Sequence, residues 1–426
     1  MSFVKEVGLI IDLHQSPIQE ESIFKQAASD LYIPLIRLIK SKRDMKITLS
    51  IPLSTLELLD KYGFESQIGE IKDLCMAERV DLVGSSAYGA LLDDLPYDVI
   101  ENQIILNEYA LGYYLGARQG FEGEPSIMIK DLQGFVPAHF YISSQILKSI
   151  EGLGYKWVLT SNCCLPEKYQ KPEFCVYKIP GSEVVVVKLD KEIIDIASSY
   201  KEGSISELKK KINNKINGEW KTNLFYIKGF EDDLDADSYK KEFELIDVLI
   251  ETLEASKIEV VNVPDLIKRT NLTETGEEEN LEYQKSSSEK EDDILSFYFM
   301  RNDEKLATLK SIDKEFSKIK KTIEEKEDLH DISTLPIWKE ESWNQIPDST
   351  LQRYVCYFIL LSKFMSFNKY LYLNHCLIDP DRKETYFKQL HSFTHLVTRS
   401  LNIIPEYPEA SKLRSKIGYF LSLLQP

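Results

Sequence analysis

Residues 126 to 162 read SIMIKDLQGFVPAHFYISSQILKSIEGLGYKWVLTSN. An apolar run leads into Gly134 and Phe135, and Pro137 pins a short loop. Apolar residues at helical spacing then predict a helix over 141–153, and KWVLTS predicts a second strand. Two strands joined through a helix form the unit from which parallel sheets are built, because parallel neighbours need a crossover. The residue after the loop proline is Ala138, which carries no group able to attack, protonate or ligate.

The same alternation extends in both directions. Upstream, VGLIIDL (7–13) reads as a buried strand, and a helix over 21–42 places Phe24, Ala27, Leu31, Leu35 and Leu38 on one face. KITLSIP (46–52), helices near 54–62 and 66–78, VDLVGSSAY (80–88), a long helix near 97–118 and PSIMI (125–129) follow. Downstream come VVVVKL (184–189), NLFYIKGF (223–230), a helix near 238–255 and IEVVN (258–262). Strands alternating with helices to about residue 265 predict an α/β fold with a parallel sheet, open or closed into a barrel. In such folds ligands sit at the carboxyl ends of the strands.

Beyond that point the composition changes. Residues 271–293, NLTETGEEENLEYQKSSSEKEDD, are acidic, serine-rich and poor in core residues, which predicts a mobile and dispensable connector. Leu306, Leu309, Ile312, Phe316, Ile319 and Ile323 form one apolar stripe on a charged helix. That stripe either packs on neighbouring helices or pairs two chains. Further helices are expected over 349–372 and 381–401, after Pro347 and at Pro380. The expected division is a barrel domain over 1–270, an acidic linker over 271–295 and a helical region over 296–426.

The formal net charge of −17 excludes the basic footprint that nucleic acids and anionic membranes require. A neutral or cationic ligand fits better, and an uncharged sugar is compatible with it. The opening MSFVKEVGLIIDLHQSP does not read as a signal peptide, since Asp12 and His14 break its apolar run. The six cysteines follow neither disulfide nor zinc spacing, which predicts free thiols and a cytoplasmic protein. No cofactor motif is present. His391 and His395 stand four apart on an expected helix but lack a third ligand, so no metal site is expected.

Four segments in order resemble glycoside hydrolase family 57, which acts on α-linked sugars. His14, Gln15, Ser16 and Pro17 are similar to the family's His-Gln-Pro motif with one residue inserted. LYIPLIRLIKSKRDMKITLSIPLSTLELLDKYG (31–63) resembles the family's first helix and second strand, and VDLVGSSAYGALLDDLP (80–96) a later strand end. GFVPAHFY (134–141) resembles the loop that carries the family's nucleophile. The resemblance covers about residues 5–265. It implies an incomplete (β/α)7 barrel followed by a helical region, and an oligosaccharide or α-glucan ligand.

The departures fall on the functional positions. Gly89 stands where the family shows histidine, and Ala138 where it carries the nucleophilic glutamate. Aligning Glu231 with the family's Asp-Gly-Glu run puts Gly229 at the general acid. A retaining glycosidase needs two carboxyl groups about 5–5.5 Å apart. Alanine cannot form the covalent intermediate.

The expectation is a non-catalytic relative that binds an α-linked glycan or a protein partner. The alternative is an active hydrolase or glucanotransferase with relocated carboxylates, Glu231 and Asp232 being the candidates. A weaker one is a metal-dependent polysaccharide deacetylase, hinted at by Asp12 and His14 alone. The expected sugar-binding residues are His14, Gln15, Tyr88, Phe135, His139 and Trp338, with Trp343 near the last.

Overall fold

The protein is described by a computed structural model covering residues 5–17, 19–92, 97–116, 132–161, 164–165, 176–179, 181–190, 192–200, 204–218, 220–228, 236–270, 272–274, 307–308, 311–312, 314–315, 336–345, 359, 362–363 and 408–424. It forms two compact units, residues 1–85 with 110–284, and residues 86–109 with 285–426. In this grouping residues 86–109 go with the C-terminal residues. Leu272–Glu274, at the start of the expected linker, is a strand. The rest of that linker, most of the 306–323 stripe and most of the helices expected after 349 lie outside the described residues.

The strands of the first unit are β1 (Glu6–Asp12), β2 (Ile47–Ser50), β3 (Val80–Val83), β4 (Gly134–Phe135), β5 (Trp157–Thr160), β6 (Val176–Lys178), β7 (Val185–Lys188), β8 (Thr222–Lys228), β9 (Glu259–Val261) and β10 (Leu272–Glu274). One sheet runs β3-β2-β1-β8 and the other β10-β6-β7-β5-β4. Two isolated parallel bridges, Gly84 to Phe135 and Asp190 to Phe225, join them. Among the described residues seven parallel strands thus form a ring, β1-β2-β3-β4-β5-β7-β8. Its two joins are single bridges, so this is a (β/α)7-type barrel with weak seams. One strand departs from the expected parallel order: β6 pairs antiparallel to β7 outside the ring.

Helices fill the crossovers: α1 (Glu21–Ala27), α2 (Ile33–Ser41), α3 (Leu53–Lys61), α4 (Glu65–Met76), α5 (Tyr97–Leu115), α6 (Ser144–Gly152), α7 (Glu192–Tyr200), α8 (Ile205–Ile216), α9 (Ala236–Ala255) and α10 (Val263–Arg269). The helix expected over 21–42 is interrupted by a π-turn, Ala28–Tyr32, between α1 and α2. The sequence around 141 does not start α6; Ser143 caps it, its hydroxyl accepting from the Ile146 amide.

Register fixes what the barrel encloses. Ile10 pairs with Thr48 and with Tyr226, and Thr48 with Asp81. Asp12 pairs with Ser50, and Ser50 with Val83. Registered partners on parallel strands point to one face. Ile10, Val83, Val136, Trp157, Leu159, Val187 and Tyr226 belong to one buried cluster, which is the barrel interior. Asp81 and Thr48 therefore sit inside the barrel beside Ile10, with Asp12 and Ser50 one layer nearer the carboxyl ends. Val263 and Leu266 of α10 pack into the same cluster.

An acid inside a barrel has a measurable consequence. Burial pushes the Asp81 carboxyl up to about 7, opposed by the Leu82 backbone and aided by the Asp265 charge. The unfolded carboxyl titrates near ~3.9. Stability that neutral Asp81 permits is therefore full below about pH 4 and lost as pH rises to about 7, with no further loss above. The loss is on the order of 2–4 kcal/mol. Asp81→Asn should accordingly melt higher than wild type at pH 8, the gap closing towards pH 4. Parallel melting curves from pH 4 to 8 would reject this role.

Candidate active site

At the carboxyl end of β1 the chain leaves the barrel as Leu13–His14–Gln15–Ser16–Pro17. Asp12, at 7% exposure, anchors this exit. One of its carboxylate oxygens accepts from the Tyr226 hydroxyl at 2.5 Å, and the other from the His14 amide at 3.3 Å. The Leu13 carbonyl accepts from Thr55 Oγ1 at 2.7 Å and from the Tyr32 hydroxyl at 3.5 Å. The π-turn brings Tyr32 here: an extra residue in the turn rotates the side chains that follow it about the helix axis. Tyr239 of α9 donates to Gln15 Oε1 and accepts from Gln19 Nε2, both at 3.4 Å. Glu242, one turn further along α9, is fully buried. Burial pushes the Tyr32 phenol well above its usual range, and Tyr239, Glu242 and Asp12 add to the rise while the Gln15 amide opposes it. The site is thus rich in buried oxygen acids.

The loop after β4 lies against the same layer. Residues Ala138–Phe140 form a 3-10 turn in which the Phe140 amide donates to the Pro137 carbonyl at 3.0 Å. Phe140 sits at φ 59°, a strained conformation for a bulky side chain. Such a residue persists only where its surroundings over-determine it. Here Thr160 Oγ1 and Cys164 Sγ both donate to the Phe140 carbonyl, at 3.1 and 3.7 Å. The Phe140 ring meets Tyr226 edge to face, with centroids 4.6 Å apart. Ala138 is therefore carried on a loop held through Phe140 and tied through Tyr226 to Asp12.

His14 and Gln15 lie at the barrel mouth, 9% and 1% exposed. Phe135 is fully buried, its ring 5.4 Å from that of Tyr155, on the face of β4 opposite Gly134 and Val136. It builds the barrel wall rather than a ligand surface. Tyr88 and Trp338 belong to the second unit and are buried there, at 2% and 3% exposure, with the Lys363 ammonium 5.5 Å above the Tyr88 ring. Of His139 only the backbone, in the 3-10 turn, is described; Gly229, Glu231, Asp232, His391 and His395 lie outside the described residues.

Sequence reasoning missed Tyr32, Tyr226, Tyr239 and Glu242, and took Asp12 only as a hint of metal chemistry. Tyr226 carried one usable signal, its place near the end of a strand. Among the described residues no three His, Cys, Asp or Glu side chains are grouped to hold a metal ion.

Two solved structures share this architecture over nearly the whole chain. A family 57 branching enzyme from Thermococcus kodakaraensis, solved with glucose, superposes with a TM-score of 0.61 at 11% identity, over 98% of this chain and 94% of that one. A novel α-amylase from Thermotoga maritima gives 0.59 at 9% identity, over 99% of each chain. A 4-α-glucanotransferase from Thermococcus litoralis is 14% identical with a TM-score of 0.48, over 64% of this chain but only 42% of its own length. No curated protein matches the sequence. The described residues include no helix long and apolar enough to cross a membrane. A family model described as glycosyl hydrolase family 57 matches residues 13–281. With the seven-stranded ring and the loop around Ala138, that match places the chain in glycosyl hydrolase family 57.

Proposed function

We propose that this protein binds an α-linked oligosaccharide or α-glucan at the carboxyl ends of its barrel strands and does not cleave it by the carboxylate double displacement. The observation that carries the reading is Ala138. The loop bearing it is held in a strained, multiply bonded conformation, yet the residue it presents has no nucleophile. A retaining site without an attacking group loses many powers of ten in rate. Support for binding comes from His14 and Gln15, which stand at the mouth, backed by Asp12, Tyr32 and Tyr239.

A cytoplasmic location belongs to the same proposal and rests on the scattered cysteines, of which Cys75 and Cys164 are not in disulfides. The test is titration calorimetry with maltopentaose. Saturable binding that His14→Ala weakens at least tenfold supports the reading. Heat no different from buffer dilution overturns it and leaves a protein partner as the ligand class.

A further inference from the structure

The Gln15 amide is buried to 1% exposure, and its two ends are treated differently. Oε1 accepts from the Tyr239 hydroxyl at 3.4 Å. Nε2 has no hydrogen-bond partner. The Gln15 amide favours the ionised form of the Tyr32 phenol. Tyr239 also accepts from Gln19 Nε2 at 3.4 Å. A phenol has one proton to give. With Gln19 donating to its oxygen, that proton goes to Gln15, and only the carbonyl end of an amide can take it. The order of donation, Gln19 to Tyr239 to Gln15, therefore determines which end of the Gln15 amide is left over.

We propose that Gln19 and Tyr239 are positioning residues that lock the Gln15 amide as a donor, so that the site selects its ligand by an acceptor oxygen. The class this suits is a neutral sugar offering a hydroxyl or ether oxygen. An ammonium group, which has no lone pair to offer, would be refused at this point. The inference rests on the sugar-binding reading above, and adds to it the direction of one hydrogen bond and the residues that set it. Gln19 is 8% exposed and acts only through Tyr239.

The experiment uses Gln19→Glu, which keeps the shape and removes the donor, and Tyr239→Phe, which removes the relay. Two readouts are taken on the full chain. One is the 1H–15N side-chain amide pair of Gln15 without ligand, assigned by its disappearance in Gln15→Glu. The other is the Kd for maltopentaose.

Both variants should move the Gln15 pair and weaken binding roughly three- to tenfold. The double variant should be no worse than the poorer single one, because either change releases the same amide. Gln15 resonances that stay at their wild-type positions in both variants overturn the proposal. So does weakening that adds up in the double variant and follows the loss in melting temperature, which is what a merely structural role produces. Shifted resonances with undiminished binding overturn the selection claim. Shifted resonances in a protein whose wild type binds no maltopentaose keep the relay and overturn the sugar reading instead.

Discussion

Ala138→Glu is expected to release fluoride from α-maltosyl fluoride at least roughly a thousandfold faster than wild type. Fluoride leaves without being protonated, so the assay needs no general acid and reports on position 138 alone. The new carboxylate would attack the anomeric carbon as the carbon–fluorine bond breaks, giving fluoride ion and a glycosyl ester on the protein. The loop does not have to be rebuilt for this. Its conformation is set by the Phe140 carbonyl, bonded by Thr160 and Cys164, and by the Phe140 ring on Tyr226, none of which involves the side chain at 138. About one equivalent of fluoride with a matching increase in protein mass is the expected burst. A variant that binds maltopentaose as wild type does but releases no fluoride would show that Ala138 is not at the nucleophile position.

The second large effect concerns the glycine that opens the loop. A Cβ at Gly134 would fall 2.0 Å from Trp157 Cζ2 and 2.1 Å from Cε2. Gly134 and Trp157 are register partners on β4 and β5, so the indole lies directly over the glycine inside the barrel. At Gly84, across the seam, an added Cβ would fall 2.0 Å from the Tyr155 hydroxyl. The two glycines are bonded to each other, Gly84 N–H to the Gly134 carbonyl at 2.8 Å. Overpacking a core usually costs about 1–3 kcal/mol, and this seam has one bridge with which to absorb it. Gly134→Ala is expected to cost about 3 kcal/mol or more, a melting temperature lower by roughly 10 °C. Adding Trp157→Phe should recover part of that loss, since the smaller ring frees the space. Equal melting temperatures for Gly134→Ala and wild type would refute the packing explanation.

Much of the barrel was legible because its strands are apolar runs between helices of clear period, as VGLIIDL and KITLSIP show. The seam residues were legible too, but were read as a motif when their glycines answer to the rings of Trp157 and Tyr155. What could not be read depends on contacts between distant residues. Asp81 looks like the polar member of an alternating strand, and only the register with Thr48 and Ile10 puts it inside the barrel. Tyr32 falls into the β1 exit through a π-turn, and a 3.6-residue periodicity hides the extra residue. Asp12 and Tyr226 are 214 residues apart in the chain, and no local pattern couples them. β6 was missed because VYK is a three-residue strand whose partner runs the other way.

The central claim is that a sugar enters this barrel and leaves unchanged. The most direct measurement is prolonged incubation of the wild-type protein with maltopentaose, a branched α-1,6-linked glucan and melibiose, with product masses read by mass spectrometry at protein and sugar concentrations that saturate binding. The account predicts bound but intact sugars, with no shorter, longer or branched products above a protein-free control. Products that form with wild type and disappear in Glu231→Gln or Asp232→Asn would contradict it, and would assign the chemistry to relocated carboxylates.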